Sequence, residues 1–234
     1  MRARFNSWRE RFRATMPLVR INFFILIVAV GLFIKIAHEV AGGDHLEFEE
    51  KIMESLRTGD PVRPAGPPWL ARIARDVTGL GSMAVLTTLT LLVVGFLALT
   101  RRFGASAFLM CAAAGGQTLN VALKAFYRRE RPDPAFRWIE IDSLSFPSGH
   151  ATSSAVIYLV MAVLLARLVD TTSQKAYIIG SALLLSFLVG LTRVYLGVHY
   201  PTDVVAGWAV GIAWAQFCWF VAHALGRRRL AQSS

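Results

Sequence analysis

The sequence contains few charged residues and hardly any cysteine. Only 17% of its 234 residues are charged and 55% are hydrophobic, whereas about a quarter of an ordinary soluble domain is charged. Together with a mean hydropathy of +0.49, this excludes a typical soluble protein. The two cysteines, Cys111 and Cys218, lie in apolar runs without metal-ligand spacing. We therefore predict neither a disulfide scaffold nor a zinc site, and interpret both as small buried hydrophobic residues.

Acidic residues are also scarce, with 15 Asp and Glu against 25 Lys and Arg, which gives a net charge of +10. A basic chain can bind nucleic acid, but no basic stripe interleaved with aromatic residues is present. The basic residues instead cluster at the ends of apolar runs, as they do in membrane proteins. The charge therefore predicts a membrane topology and no nucleic-acid partner.

Six apolar segments approach the length of about 20 residues that crosses a bilayer. They are residues 21–41, 81–100, 105–123, 151–168, 176–191 and 204–225. The first run is too long for a signal peptide and lacks a small-residue cleavage site, so we predict an uncleaved anchor. The expected fold is all-α, a six-transmembrane-helix bundle. Its domains are a basic cytoplasmic segment (1–20), a membrane domain (21–225) and a basic cytoplasmic tail (226–234).

The basic residues also orient the predicted bundle. If the helices alternate in direction, one side carries the six Arg of residues 1–20, Arg101, Arg102, Arg167, Lys175 and Arg227 to Arg229. The positive-inside rule makes that side cytoplasmic. Residues 42–80, 124–150 and 192–203 are then expected on the extracytoplasmic side.

The long loop, residues 42–80, contains two amphipathic segments separated by a Pro/Gly-rich breaker at residues 61–68. Residues 45–58 and 69–77 each repeat apolar side chains at helical spacing. Their apolar faces consist of Phe48, Ile52 and Leu56, and of Trp69, Ile73 and Val77. We expect an interfacial cover with a Trp anchor; a lid or lipid entrance is the alternative.

Polar residues of the other two outer loops are spaced for binding an anion. Lys124 precedes Arg131 by seven residues, close to two helical turns, so a continued helix would place both on one face. Directly before His150, Ser148 and Gly149 mark a helix N-terminus, whose free N–H groups can cradle a phosphate.

A third group, Arg193, His199 and Asp203, follows the fifth segment. A carboxylate near a histidine can accept one ring N–H, which fixes the tautomer and leaves the other nitrogen free to act. Each residue alone fits an anchor or a helix cap. Their convergence on one predicted side indicates a site for a phosphate group.

Ten positions of these groups closely resemble the three-part motif of the type 2 phosphatidic acid phosphatase superfamily. They are Lys124, Arg131, Pro132, Pro147, Ser148, Gly149, His150, Arg193, His199 and Asp203; Thr192 stands where the family commonly has serine. The resemblance implies that His199 attacks phosphorus and forms a phosphohistidine, and that Asp203 orients it. His150 would protonate the leaving oxygen and then activate water.

The resemblance also implies a binding set for the phosphate oxygens and a substrate class. The binding set is Lys124, Arg131, Ser148, Gly149 and Arg193. With three cations, we predict no metal ion and no cofactor. The expected substrate is a membrane lipid: undecaprenyl pyrophosphate, phosphatidylglycerophosphate or phosphatidate.

Other features of the predicted enzyme stay open. Arg128, Arg129 and Arg137 either bind a second phosphate or contact an anionic lipid surface. We expect a multi-pass protein of a bacterial inner membrane, with the site facing the periplasm or the outside. A lipid phosphotransferase and a membrane transporter are the alternatives, and the sequence does not indicate the oligomeric state.

Overall fold

The structure is a computed structural model that describes residues 2–43, 46–139, 141 and 143–232. Over these residues the secondary structure is α-helical apart from one short hairpin and one 3-10 turn, Pro134–Phe136. Its elements are α1 (Arg2–Gly42), α2 (Leu46–Ser55), β1 (Arg57–Thr58), β2 (Asp60–Pro64), α3 (Pro68–Gly79), α4 (Met83–Leu99), α5 (Phe103–Tyr127), α6 (Gly149–Ala166), α7 (Thr172–Tyr195) and α8 (Pro201–Gln232).

The membrane-spanning helices agree with the predicted bundle. Within the described residues, five helices are long and apolar enough to cross a membrane, namely the 19–42 part of α1, then α5, α6, α7 and the 201–225 part of α8. The pair α3 and α4, bent by 42°, becomes the sixth span when it is counted as one. The prediction of an all-α, multi-pass membrane protein is confirmed.

Local signals explain where several helices begin and end. The hydroxyl of Ser82 accepts a hydrogen bond from the N–H of Val85 at the start of α4. Thr171 and Gln174 form a capping box at the start of α7, which extends the helix before the predicted start at residue 176. At the end of α5, Arg128 adopts a left-handed conformation with φ of 48°.

The terminal segments continue the outer helices. Residues 2–20 belong to α1, so the predicted basic segment is helical and continuous with the first span. The predicted basic tail is helical to Gln232, and its last two residues, like Met1, lie outside the described residues.

Helix α6 lies at the centre of the bundle and packs against α5, α7 and α8. Small residues permit the closest of these contacts. A Cβ on Gly207 of α8 would lie 2.7 Å from the carbonyl oxygen of Ser148, and one on Gly211 would lie 2.7 Å from that of Thr152. The backbones of α6 and α8 therefore approach closely where a larger side chain would not fit.

The loop helices bury faces other than the apolar faces that the sequence suggested. In α2, Phe48 is 64% exposed, whereas Glu49 and Met53 are fully buried. His45, where the predicted segment began, lies outside the described residues. Helix α2 ends at Ser55, and the antiparallel strand β1 replaces the end of the predicted helical segment 45–58, whereas its partner β2 overlaps the predicted breaker, residues 61–68.

In α3 the small and polar side chains face inward. Ala71, Ala74 and Thr78 are buried, while Trp69 and Ile73 are about half exposed. Small residues let α3 pack closely on α7. A membrane protein can direct its large apolar side chains outward to lipid, so hydrophobicity does not indicate which face is buried. For the same reason Cys111, predicted to be buried, is exposed.

Candidate active site

Four helix ends meet at one end of the bundle and bring the three predicted motif groups together. They are the C-terminal ends of α5 and α7 and the N-terminal ends of α6 and α8. The N–H of Ser148 donates to the carbonyl oxygen of Asp203 at 2.9 Å, which ties the start of α6 to the start of α8. The loop after α5 brings Arg131 to this end. Because α5 ends at Tyr127, Lys124 and Arg131 do not share a continuous helix, and the loop instead brings them to the same end.

His199 and Asp203 form a buried pair. The Nδ1 atom of His199 lies 3.4 Å from Oδ2 of Asp203, and the N–H of Tyr200 donates to the same oxygen at 2.9 Å. Ser145 also donates its hydroxyl to Oδ2, and its Oγ lies 3.3 Å from Nδ1 of His199. The carboxylate is therefore held against the Nδ1 side of the imidazole.

The other ring nitrogen of His199 faces a cation. Nη1 of Arg131 lies 3.2 Å from Nε2 of His199. Because a guanidinium can only donate, Nε2 must present its lone pair, and the proton is assigned to Nδ1, towards Asp203. Burial lowers the pKa of His199 to about 3; Asp203 opposes this shift, while Arg131 and Arg193 add to it. The free site therefore holds a neutral imidazole.

The Arg131 guanidinium is fixed mainly by carbonyl groups. It donates to the carbonyl oxygens of Ser143 and Val198, both at 2.5 Å, and to the hydroxyl of Ser143 at 2.9 Å. Burial lowers its pKa to about 10, with Asp203 opposing and Arg137 adding to that shift. Arg131 consequently stays charged at neutral pH, as binding an anion requires.

Lys124 and Arg193 supply two further cations. Lys124 donates to the carbonyl oxygens of Leu144 and Ser145, the latter at 3.2 Å. Arg193 is buried, and its Nη1 donates to the hydroxyl of Thr78 at 3.0 Å. Its Nε has no hydrogen-bond partner among the described residues.

The predicted phosphate cradle lies at the start of α6. Ser148 is the N-cap of α6, and its buried hydroxyl oxygen also lacks a partner in the described part of the chain. Such groups are rare in a folded protein, so Ser148 Oγ and Arg193 Nε are available to bind a ligand at this end of the bundle. A Cβ on Gly149 would lie 3.2 Å from Oδ1 of Asn120. Asn120 also donates to the carbonyl oxygen of Pro147 at 3.4 Å, which supports the turn.

His150 lies in the first turn of α6, on the same side as the cations. The ring lies close enough to interact electrostatically with the charges of Arg193, Arg131 and Lys124 and with His199. A Cβ on Gly81 would lie 3.2 Å from Cδ2 of His150, so the turn between α3 and α4 packs against this ring. The predicted residues thus converge.

Four residues at the site were not predicted. They are Ser145, Thr78, Glu49 and Tyr200. Ser145 lies two residues before Pro147, so its position beside the motif was the available signal. Thr78 and Glu49 come from residues 42–80, and no pattern in that loop indicates a link to the site.

The three arginines considered for a second phosphate donate to protein groups. Arg129 pairs with Glu49 and, at 2.8 Å, with Asp203. Arg137 donates to the carbonyl oxygen of Pro132 at 2.7 Å, and Arg128 donates to that of Ala125 at 3.2 Å.

The matched family is the PAP2 superfamily, whose model covers residues 103–227. This chain belongs to the PAP2 superfamily. It is 33% identical over 148 residues to phosphatidylglycerophosphatase B of Bacillus subtilis (strain 168), covering 62% of this chain and 71% of that protein. It is also 33% identical over 153 residues to decaprenylphosphoryl-5-phosphoribose phosphatase of Mycobacterium tuberculosis (strain CDC 1551 / Oshkosh), covering 62% and 76%.

The fold agrees with that of a PAP2 enzyme. The crystal structure of a transmembrane PAP2 type phosphatidylglycerolphosphate phosphatase from Bacillus subtilis matches with a TM-score of 0.75 and 26% identity. The match covers 88% of this chain and 97% of that one. The sequence-based prediction of a membrane lipid phosphatase is confirmed by this membership.

Proposed function

We propose that the protein hydrolyses a membrane lipid phosphate, with His199 as nucleophile, Asp203 as its orienting carboxylate and His150 as acid and base. The observation that carries the proposal is the pair of contacts on the His199 ring. Asp203 and Ser145 face Nδ1, and the cation Arg131 faces Nε2. An unprotonated nitrogen beside an anion-binding group is the arrangement that attack on phosphorus needs.

In the first proposed step, the Nε2 lone pair of His199 forms a bond to phosphorus and the bond from phosphorus to the lipid oxygen breaks. The bound phosphate anion favours the protonated form of His150. The ring gives its proton to that oxygen, which leaves as the lipid alcohol. The imidazole becomes positive as it bonds, and Asp203 stabilises that charge. Lys124, Arg131 and Arg193 bind the phosphate oxygens, where negative charge collects.

In the second step, water attacks the phosphohistidine. His150, now neutral, takes a proton from the water as its oxygen bonds to phosphorus. The bond from phosphorus to Nε2 breaks, which releases inorganic phosphate and restores His199. One residue thus serves as acid and then as base, because the first step leaves it in the form that the second requires.

The site favours a lipid with a terminal phosphomonoester, as in phosphatidylglycerophosphate or phosphatidate, over a lipid pyrophosphate. Arg128, Arg129 and Arg137 each donate to protein acceptors, which reduces their availability for a second phosphate. Undecaprenyl pyrophosphate is the alternative substrate. A comparison of phosphate release from the candidate lipids distinguishes it from the phosphomonoesters.

The basic residues favour a site on the extracytoplasmic side. The Arg-rich termini and Arg101 with Arg102 belong to the end of the bundle opposite the site, and the positive-inside rule makes that end cytoplasmic. The named relatives are bacterial, and the proposal places this protein in a bacterial inner membrane.

Release of inorganic phosphate from purified protein in detergent tests the proposal. The three lipids are supplied separately, with and without EDTA. We expect phosphate release from a lipid with a terminal phosphomonoester, and we expect EDTA not to reduce that release. Loss of activity in EDTA would refute a metal-independent reaction. Phosphate found only on an added alcohol acceptor would indicate a phosphotransferase, and no release from any of the three lipids would refute the proposed function.

A further inference from the structure

Helix α2 contributes a buried carboxylate to the active-site end. Glu49 is fully buried, although its neighbour Phe48 is 64% exposed. One carboxylate oxygen pairs with Nη2 of Arg129. The other accepts from the hydroxyl of Thr202 and, at 3.2 Å, from its N–H. A buried charge is costly unless it is paired, and here both oxygens have partners.

Arg129 lies between Glu49 and Asp203. Its Nη1 donates at 2.8 Å both to Oδ1 of Asp203 and to the hydroxyl of Thr202. Its Cζ lies 4.3 Å from the ring centroid of Tyr200, in cation–π geometry. Burial opposes the charge of Arg129, but the carboxylates of Asp203 and Glu49 outweigh burial and raise its pKa.

The two oxygens of Asp203 therefore have different partners. Oδ1 binds Arg129, while Oδ2 accepts from Ser145 and faces Nδ1 of His199. An unpaired Arg129 would compete with the imidazole for the negative charge of Asp203. A second carboxylate on Arg129 offsets that competition, because the Glu49–Arg129 pair carries no net charge.

We infer that Glu49 is a positioning residue: through Arg129 it fixes the orientation of Asp203 while leaving that carboxylate's charge available to His199. The inference rests on the proposed function of His199 and Asp203. It links the loop helix α2, which lies outside the matched residues 103–227, to the phosphoryl transfer step.

The inference predicts effects of opposite sign on the protonation of His199. The groups facing His199 are Asp203 of α8, Arg193 of α7, His150 of α6 and Arg131 of the loop after α5, with Lys124 of α5 acting on Asp203 and both arginines. None of these changes in the variants. Glu49→Gln leaves Arg129 uncompensated and disfavours the imidazolium, whereas Arg129→Gln leaves Glu49 uncompensated and favours it.

The test uses the full chain in detergent, with phosphatidate in mixed micelles at pH 3 to 9. The kcat profile reports the enzyme–substrate complex, in which the bound phosphate anion raises the pKa of His199 above its value of about 3 in the free site. For both single variants we expect kcat to fall about tenfold while KM changes less than about threefold, since the phosphate ligands are intact. We expect the acid limb of the kcat profile to move to lower pH in Glu49→Gln and to higher pH in Arg129→Gln, by about 0.3 to 1 pH unit. Ionisation of phosphatidate affects the profiles of all variants equally, so it does not contribute to the differences between them.

Matched controls separate positioning from folding. Glu54→Gln, on the exposed surface of the same helix, is expected to match the wild type. The double variant is expected to be more active than the product of the two single effects, because it restores a neutral pair. If Glu49→Gln cannot be purified, Arg129→Gln alone still predicts the shift to higher pH.

Two outcomes distinguish the inference from the function on which it rests. A wild-type protein that releases no phosphate refutes the proposed function. An active wild type, with acid limbs that stay in place or move in the same direction in both variants, overturns the role of Glu49 alone.

Discussion

Thr78, near the end of α3, accepts a hydrogen bond at 3.0 Å from Nη1 of Arg193, which is buried at the end of α7. The two residues are 115 positions apart in the chain, and their hydrogen bond joins α3 to α7. It also leaves Nε of Arg193 without a partner among the described residues. The orientation of a proposed phosphate ligand thus depends on a residue of the outer loop.

Replacing Thr78 with valine removes this hydrogen bond at nearly constant side-chain volume. Since a hydrogen bond to a charged group contributes about 1.5 to 3 kcal/mol, we expect kcat/KM to fall roughly tenfold or more in Thr78→Val. Phosphate release from phosphatidate measures this. Thr78→Ser keeps the hydroxyl and should retain most of the activity; equal activity in Thr78→Val and wild type would contradict the positioning of Arg193 by Thr78.

The proposed roles of the two histidines predict different defects. In His199→Asn no phosphoenzyme forms, so we expect phosphate release to fall by at least about a thousandfold. In His150→Gln the nucleophile remains, but no acid assists the lipid alcohol and no base assists water. With p-nitrophenyl phosphate, whose leaving group needs little protonation, this variant should accumulate an acid-labile phosphoenzyme.

Rapid quench with radiolabelled substrate, followed by gel analysis under alkaline conditions, detects the phosphohistidine in this comparison. The wild type should show little label and His199→Asn none. Label in His199→Asn equal to that in His150→Gln would rule out His199 as the nucleophile.

The sequence predicted the main residues of the site because their spacing relative to helix ends has a physical meaning. Lys124 ends one span, His150 begins the next, and Arg193 with Asp203 flanks a short turn. Alternating helices must bring such ends together. Hydropathy predicted the spans for a similar reason, since the bilayer sets their length.

The residues that sequence reasoning missed have no regular spacing relative to a helix end. A glutamate in an amphipathic segment, such as Glu49, is ordinarily exposed, and only docking of α2 against Arg129 and Thr202 makes it buried. The inward face of α3 was missed because large apolar side chains such as Trp69 can face lipid while alanines pack inward. Local periodicity determines neither the burial of Glu49 nor the face of α3 that packs inward.

Buried, neutral His199 predicts that acid destabilises the fold. Its pKa is about 3 in the folded protein and about 6.5 when unfolded. Between these values the unfolded chain takes up a proton that the folded protein does not. The contribution of His199 to the free energy of unfolding is therefore fully present above about pH 6.5. It falls by up to about 1.4 kcal/mol per pH unit towards pH 3.

Thermal unfolding midpoints in detergent at pH 7.5, 6 and 4.5 measure this effect. We expect His199→Gln to lose less stability over this range than the wild type, because all other titrating groups are common to both. Equal pH dependence in the two proteins would show that His199 is not held neutral by burial.

The packing of α8 on α6 predicts a coupled loss of stability and activity in Gly207→Ala. The new Cβ would lie 2.7 Å from the carbonyl oxygen of Ser148 and 2.9 Å from Cβ of Ala151. Overpacking of this kind costs about 1 to 3 kcal/mol, and here it displaces the start of α6, which carries Ser148, Gly149 and His150.

Gly180→Ala in α7 is the matched control for Gly207→Ala, because a Cβ there would meet no atom within 4 Å. Alanine is the better helix former by about 1 kcal/mol, so this variant should unfold at the same temperature as the wild type or higher, with unchanged activity. Gly207→Ala should unfold at a lower temperature and show reduced kcat/KM in the properly folded fraction. Loss of stability with full kcat/KM would mean that the α6–α8 contact supports the bundle without positioning the phosphate cradle.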